Sequence, residues 1–193
     1  MKRVAVFCGS SAGTNPIYLS EAYQLGKFLS LSDMELVYGG AKVGLMGAVA
    51  DGAIQNNGKA IGVIPNFLKT KEIAHETLTE LISVGSMHER KTKMYELSDG
   101  IIALSGGFGT LDELFEILTW AQLGLHQKPI GLLNINGYFD ALILLIQKMV
   151  DEGFLSKLNQ DMLLVDNQIP DLIVKMKNYQ APNVKKWIDI EKS

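Results

Sequence analysis

The chain has 193 residues, of which 47% are hydrophobic and 20% are charged, and its formal net charge at pH 7 is -3. These values are ordinary for a globular protein, and the near balance of charge gives no electrostatic case for nucleic acid or an anionic membrane as a partner. The length fits one domain with its own core, and we therefore predict a single domain over residues 1–193.

Cysteine and histidine are sparse. Cys8 is the only cysteine, which excludes an internal disulfide and favours a reducing compartment. The histidines are scattered and give no zinc-binding spacing: His75, His88 and His126. The apolar run at residues 4–8 is too short for a signal peptide, and the run at residues 141–146 is too short to cross a bilayer. We therefore expect a cytoplasmic protein with no metal site and no membrane partner.

Apolar runs that end in glycine or proline alternate with amphipathic segments along the chain. The predicted strands lie at residues 3–8, 35–38, 59–64, 81–84, 101–104, 129–133 and 162–165. The predicted helices lie at about residues 16–30, 47–56, 87–97, 111–123, 139–152 and 169–179. Residues 66–79 are expected to form a loop or short helix, and the polar tail from residue 180 is expected to be loosely attached. The alternation predicts an α/β, Rossmann-like fold, with helices on both faces of a parallel sheet.

Glycine-rich segments follow three of the predicted strands, at residues 9–13, 39–47 and 106–109. Ligands of such sheets bind beyond the carboxyl ends of the strands, so the three segments are expected to meet at one edge. The second segment lacks the Gly-Lys-Ser/Thr ending of a P-loop, and the first lacks the Gly-x-Gly-x-x-Gly spacing. Tyr38, rather than an acidic residue, closes the second strand. These differences disfavour a P-loop and a nicotinamide dehydrogenase.

The segment Gly106-Gly107-Phe108-Gly109-Thr110 indicates a phosphate site. Glycine permits positive φ and a close approach of the backbone to a ligand. The start of the following helix supplies unpaired N–H groups and a partial positive charge. The alternative is a tight turn, but a turn requires one or two glycines rather than three in four positions.

The next residues leave two roles open for Glu113. Thr110-Leu111-Asp112-Glu113 matches a capping box, with Thr110 at the N-cap and Glu113 at the third helical position. Asp112 and Glu113 also complement the helix dipole. Two carboxylates beside a phosphate would repel it, however, and a positive group is required nearby.

One predicted helix supplies that positive charge. Met87, Met94 and Leu97 lie on one face of it, and Arg90 falls inside the same stripe. A charged residue on an inward-facing stripe is rarely buried without a partner. Arg90 is therefore the best functional candidate, with a structural ion pair as the alternative. Lys91, at the edge of the stripe, is within reach of the same site.

Three segments carry a family resemblance: Met87-His88-Glu89-Arg90-Lys91, the motif Ser-Gly-Gly-Phe-Gly-Thr-Leu-Asp-Glu at residues 105–113, and Thr119-Trp120-Ala121-Gln122-Leu123-Gly124. Together they resemble the Lonely guy family of cytokinin riboside 5′-monophosphate phosphoribohydrolases, which older labels call lysine decarboxylases. The resemblance covers nearly the whole chain. It implies a Rossmann-like fold, a homodimer without a cofactor, and a small-molecule nucleotide substrate. The implied reaction cleaves the N-glycosidic bond of AMP or N6-modified 5′-monophosphates to free base and ribose 5-phosphate.

By position, the resemblance implies that Arg90 and Glu113 are catalytic. It implies substrate contacts at Glu72, Lys91, Gly107, Phe108, Gly109, Thr110, Leu111, Asp112 and Thr119. Two residues depart from the family motif: Ser105 replaces a proline, and Asp112 stands where many relatives have glutamate. Near a helix start, Glu113 is expected to stay ionised, which suits a base or an electrostatic stabiliser rather than a general acid. Arg90 is expected to bind phosphate or ribose oxygens, or to help the purine leave.

Two other functions stay open at this point. One is a non-catalytic nucleotide or cofactor carrier of the same fold, which is expected to lack the pair Arg90 and Glu113. The other is an amino-acid decarboxylase, for which no pyridoxal-phosphate lysine motif is identifiable. Among phosphoribohydrolase substrates, AMP and its N6-prenylated form both stay open.

Overall fold

A computed structural model describes residues 1–69 and 74–182. Within these residues, seven strands form one sheet: β1 (Arg3–Phe7), β2 (Glu35–Tyr38), β3 (Ala60–Pro65), β4 (Glu80–Val84), β5 (Gly100–Ala103), β6 (Ile130–Leu133) and β7 (Leu163–Asp166). All neighbouring strands are parallel, and their order is β4-β3-β2-β1-β5-β6-β7. The predicted parallel α/β sheet is confirmed.

The helices of the described residues connect these strands. They are α1 (Ile17–Leu31), α2 (Gly44–Ile54), α3 (Met87–Leu97), α4 (Phe108–Gln122), α5 (Asp140–Asp151), α6 (Lys157–Gln160) and α7 (Ile169–Lys177). Short 3-10 turns lie at Asn66–Leu68 and Ile135–Gly137. None of the described helices is both long enough and apolar enough to span a membrane.

Alternate residues of β1 face two separate apolar cores. Val4 and Val6 pack in the core that α1, α2 and α7 cover. Ala5 and Phe7 pack in the core that α3 and α4 cover. All four are almost completely buried, as a central parallel strand between two helical layers requires. The prediction of helices on both faces is therefore confirmed.

The strand order reverses at β1. Strands β2 to β4 extend to one side of it and β5 to β7 to the other. Helix α3 crosses back from the edge strand β4 to β5, which pairs with β1. In open α/β sheets, the carboxyl ends of the strands at such a reversal form a crevice that binds ligands.

Most element boundaries agree with the prediction to within two residues, but α2 and α4 begin earlier. Helix α4 begins at Phe108 instead of Leu111, because Gly107 takes the N-cap position that the sequence assigned to Thr110. Helix α2 begins at Gly44, and the four-residue α6 was not predicted. Glu72 and most of the tail, residues 183–193, lie outside the described residues. The single domain over residues 1–193 stays a prediction.

Candidate active site

A cavity of about 790 Å³ opens at the carboxyl ends of β1, β2 and β5. Its lining includes Gly9, Gly39 and Gly106, one residue from each of the three glycine-rich segments. The volume falls in the range of small-molecule sites. The predicted meeting of the three segments at one edge of the sheet is confirmed.

The start of α4 supplies a run of unpaired backbone donors to this cavity. Gly107 is the N-cap, with extended backbone angles of φ −91° and ψ −152°, and no side chain caps the helix. Within the described part of the chain, the backbone N–H groups of residues 106–110 have no hydrogen-bond acceptor. Free N–H groups at a helix start attract anions, and phosphate in particular.

The glycines of this segment are not explained by backbone conformation, because none of them has a positive φ. The expectation of positive φ is therefore wrong for this segment. Gly106 is required by packing, since a Cβ there would lie 2.1 Å from Thr110 Oγ1. A Cβ at Gly107 or Gly109 would meet no atom within 4 Å. A tight turn therefore does not explain these two glycines, and the open space beside them is compatible with the predicted close approach of a ligand.

Thr110 and Glu113 do not form the predicted capping box. Because α4 begins at Phe108, Thr110 is its third residue and Glu113 lies in its second turn. Thr110 is buried against Gly106, and Glu113 is only 9% exposed on the cavity wall. A capping role does not explain the position of Glu113.

Arg90 is buried at the cavity wall, and none of its hydrogen-bond partners among the described residues is acidic. Its Nε donates to the carbonyl oxygen of Val63 at 3.1 Å, and its Nη2 donates to that of Gly39 at 3.0 Å. Its other contacts are with the sulfur atoms of Met46 and Met87. In residues 1–69 and 74–182 the guanidinium has no salt bridge, so the alternative of a structural ion pair is wrong there.

Glu113 faces the same cavity with a perturbed acidity. Removal from water raises the pKa of its carboxyl group to about 7, and the nearby charge of Arg90 opposes that rise. Burial outweighs the helix dipole, so Glu113 is about half ionised near pH 7 rather than fully ionised as the dipole alone predicts. The carboxyl group makes no hydrogen bond with any residue that the structure describes.

Lys91 lies beside α4 rather than in the cavity. Its Nζ is 3.1 Å from Asp112 Oδ2 and 3.0 Å from Glu116 Oε2. Asp112 lines the cavity, and its charge there is offset by the ammonium group. Lys91 therefore removes part of the repulsion that Asp112 would exert on an anion at the start of α4.

The other predicted contacts are spread over different places. Phe108 lines the cavity and is 94% exposed. Leu111 packs against the core beneath α3 and α4. Thr119 donates to the carbonyl oxygen of Phe115 and lines a separate groove between α4, α5 and α6. Glu72 lies outside the described residues, so the structure brings only part of the predicted set together.

Two tyrosines of the cavity were not predicted from the sequence. Tyr138, which follows β6, donates from its hydroxyl to the carbonyl oxygen of Gly106 at 2.5 Å. Tyr18 of α1 lies edge-on against it, with ring centroids 5.6 Å apart. Both line the cavity. The signal for Tyr138 was its place just after a strand, the same rule that identified the glycine-rich segments.

The cavity does not suit pyridoxal phosphate. That cofactor is bound through an imine with a lysine side chain. None of the described residues that line the cavity is a lysine. The nearby Lys91 is paired with two carboxylates instead. The residues present therefore disfavour the decarboxylase alternative.

Comparisons of the sequence with a family model and with curated relatives point to the same family. A family model described as possible lysine decarboxylase matches residues 46–176. The cytokinin riboside 5'-monophosphate phosphoribohydrolase LOG7 of Arabidopsis thaliana is 45% identical over 93% of this chain and 82% of its own length. The probable cytokinin riboside 5'-monophosphate phosphoribohydrolase LOGL9 of Oryza sativa subsp. japonica is 46% identical over 92% of this chain and 78% of its own length.

Solved structures share the fold. The molybdenum cofactor binding protein of Rippkaea orientalis has a TM-score of 0.68 and 26% identity, covering 91% of this chain and 95% of that one. The molybdenum cofactor carrier protein of Chlamydomonas reinhardtii has a TM-score of 0.70 at 23% identity, covering 91% and 96%. The match to the phosphoribohydrolases is much closer in sequence and nearly complete in length. The chain therefore belongs to the Lonely guy family of cytokinin riboside 5'-monophosphate phosphoribohydrolases.

Proposed function

We propose that the protein hydrolyses the N-glycosidic bond of AMP or of N6-modified adenosine 5′-monophosphates, releasing free base and ribose 5-phosphate. One observation carries the proposal: a basic residue, Arg90, and an acidic residue, Glu113, are both buried at one cavity and form no ion pair with each other. Buried charged groups without a charged partner are costly, and a bound ligand supplies the missing interactions. The relatives named for this reaction support the same activity.

The phosphate group is assigned to the start of α4. The N–H groups of residues 106–110 have no other acceptor within the described chain, and the helix dipole favours an anion there. The open space beside Gly107 and Gly109 lets the phosphate approach the backbone. The pairing of Asp112 with Lys91 reduces the opposing negative charge.

Glu113 is assigned to the sugar. Breaking the N-glycosidic bond builds positive charge on the ribose ring, as in glycoside hydrolysis. An ionised Glu113 stabilises that charge or takes a proton from the attacking water. A pKa of about 7 suits this base role, because proton transfer is most efficient when the pKa lies near the working pH.

Arg90 is assigned to substrate oxygens or to support of the departing purine. The guanidinium stays charged at physiological pH, so it acts as a fixed cation rather than a proton donor. Its hydrogen bonds to the carbonyl groups of Val63 and Gly39 orient it without cancelling that charge. This leaves a full positive charge at the cavity wall for the substrate.

The direct test incubates the protein with AMP and with isopentenyl-AMP and measures free base and ribose 5-phosphate by chromatography. We expect both products from at least one substrate. Glu113→Gln is expected to lower kcat by roughly 10²–10³ while nucleotide binding is retained. Lys93→Ala removes a charge from the exposed face of α3 and serves as the matched control, with an unchanged rate.

A non-catalytic carrier is the competing function, favoured by the 26% identity to a molybdenum cofactor binding protein. A carrier binds its nucleotide-like ligand and returns it unaltered. If AMP and isopentenyl-AMP bind but neither yields free base after long incubation, the hydrolase proposal fails and the carrier is supported. The pair Arg90 and Glu113 is the feature that we did not expect in a carrier.

We also propose a homodimer in the cytoplasm. The family resemblance supports the dimer, and the lone buried thiol of Cys8 suits a reducing compartment. Three exposed leucines lie on α5 and α6, which border the groove beside α4: Leu144, Leu145 and Leu158. Exposed apolar surface of this kind often marks an interface. Leu145→Asp is expected to give monomers in analytical ultracentrifugation. Leu31→Asp, at an exposed leucine of α1, is the control and is expected to leave the dimer intact.

A further inference from the structure

We propose that Tyr138 is a positioning residue for the phosphate-binding segment. Its hydroxyl fixes the peptide between Gly106 and Gly107, so that this peptide offers an N–H group to the 5′-phosphate rather than a carbonyl oxygen. The inference rests on the proposed function, and it adds a residue from the loop between β6 and α5 to the site.

The contact that carries this inference is the hydrogen bond from Tyr138 Oη to the carbonyl oxygen of Gly106, at 2.5 Å. In a trans peptide, the carbonyl group and the following N–H group point in opposite directions. Fixing the carbonyl group of Gly106 therefore also fixes the direction of the Gly107 N–H group. Among the described residues that N–H group has no acceptor, and Gly107 lines the cavity.

The peptide requires fixing because it lies between two glycines. Without Cβ atoms on either side, rotation of the peptide plane meets little steric resistance. Rotation would turn the carbonyl oxygen, with its partial negative charge, toward the anion and would remove one donor. The hydrogen bond from Tyr138 favours the orientation that binds phosphate before the substrate arrives.

The turn that carries Tyr138 is itself tightly constrained. Asn136 and Gly137, just before it, have left-handed backbone angles of φ 52° and φ 68°. The side-chain oxygen of Asn134 accepts a hydrogen bond from the backbone N–H of Phe139 at 2.7 Å. Unfavourable backbone angles persist only where the surroundings determine the conformation, and they are common at functional sites.

Tyr18 packs against the same ring. Its ring lies edge-on to that of Tyr138, at a centroid distance of 5.6 Å. A Cβ at Gly13, in the first glycine-rich segment, would come within 3.1 Å of the ring of Tyr18. Tyr138 therefore links the phosphate-binding segment to the loops after β1 and β6, so that three loops of the cavity are connected.

The test compares Tyr138→Phe with the matched variant Tyr23→Phe, each of which removes only a hydroxyl. Tyr23 donates to Gln55 at 3.1 Å between α1 and α2, and it does not line the cavity. Because the parental protein is proposed to hydrolyse AMP, calorimetry gives the Kd for AMP and for adenosine with each variant in the slow Glu113→Gln background. Steady-state assays of the single variants give kcat and KM for AMP. Thermal unfolding confirms that each variant is folded.

For Tyr138→Phe we expect the Kd and KM for AMP to rise by about five- to tenfold, as for one lost hydrogen bond. The Kd for adenosine, which lacks the phosphate, and kcat are expected to stay unchanged. Tyr23→Phe is expected to change none of these values. An unchanged Kd for AMP, or an equal loss for AMP and adenosine, overturns the positioning role.

Failure of the proposed reaction is distinguishable from failure of this inference. A parental protein that binds AMP and isopentenyl-AMP but cleaves neither contradicts the hydrolase, whereas the two Kd values still decide the role of Tyr138. A parental protein that binds neither nucleotide overturns both proposals.

Discussion

The guanidinium of Arg90 lies so close to the Cα of Gly39 that a Cβ at residue 39 would be 1.9 Å from Nη2. The carbonyl oxygen of Gly39 accepts a hydrogen bond from the same nitrogen at 3.0 Å. Gly39 does not have a positive φ, so turn geometry does not require glycine here. The second glycine-rich segment therefore makes room for a cation at this position.

Gly39→Ala is expected to displace Arg90 and lower kcat/KM for AMP by about 10²-fold, the usual effect of misplacing a catalytic group by about 1 Å. The backbone at residue 39 accommodates alanine, and the loss therefore acts through the arginine. A double-mutant cycle with Arg90→Ala checks this reason. In that background Gly39→Ala is expected to add no further loss, and fully additive losses would contradict the explanation.

Gly109→Ala is expected to raise the stability of the fold slightly while weakening the binding of AMP. The methyl group enters open space in the first turn of α4, and alanine favours a helix over glycine by about 0.5–1 kcal/mol. The free energy of unfolding in urea is therefore expected to rise slightly, while the Kd for AMP rises at least about tenfold because the methyl group occupies the space of the phosphate. Gly85→Ala, away from the cavity, is the control. Unchanged AMP binding in Gly109→Ala would place the phosphate elsewhere.

Glu113→Gln is expected to stabilise the protein in a pH-dependent way. The pKa of Glu113 is about 7 in the folded protein against an ordinary value of 4.5, so the folded state binds this proton more tightly than the unfolded chain. Stability from this group is therefore complete below about pH 4.5 and is lost as the pH rises through 7. At pH 8 the variant is expected to be more stable by about 1–3 kcal/mol, and the difference is expected to shrink as the pH falls through 7 and to vanish below about pH 4.5. Glu96→Gln, at an exposed residue of α3, is the control, and a constant difference for Glu113→Gln across this range would contradict the raised pKa.

The rate of AMP hydrolysis is expected to follow the ionised form of Glu113. With a pKa of about 7, kcat/KM is expected to rise between pH 6 and pH 8 and to level off above that range. The rise is expected to be absent in Glu113→Gln, measured over the same buffers. A rate that falls through pH 7 would instead identify Glu113 as a general acid that protonates the leaving base.

Much of the fold was predictable, because apolar runs and the glycines that end them indicate strands and helices from local sequence alone. Arg90 was also identifiable, since its charge interrupts an apolar stripe on one predicted helix. The start of α4 was not predictable, because residues Thr110 to Glu113 also match a capping box, which would begin the helix at Leu111 rather than at Phe108. That pattern does not show that the side chain of Thr110 packs on Gly106.

The raised pKa of Glu113 and the contact of Tyr138 could not be predicted from local sequence patterns, because both depend on residues that are distant along the chain. The helix-dipole argument considers only the helix of Glu113, whereas its burial depends on elements that meet it after folding, including Cys8 and Arg90. Tyr138 contacts a carbonyl group 32 residues earlier in the chain. Contacts at that separation depend on strand order, which the alternation of helices and strands does not specify.

The reversal of strand order at β1 divides the active site between two parts of the chain. Arg90 donates to the carbonyl groups of Gly39, just after β2, and of Val63, within β3, while Glu113 lies on the helix that follows β5, on the other side of β1. Neither part alone contains both charges of the cavity. In the proposed mechanism both charges are required, so enzymatic turnover is expected to return during refolding only after the two parts have docked, later than helical structure.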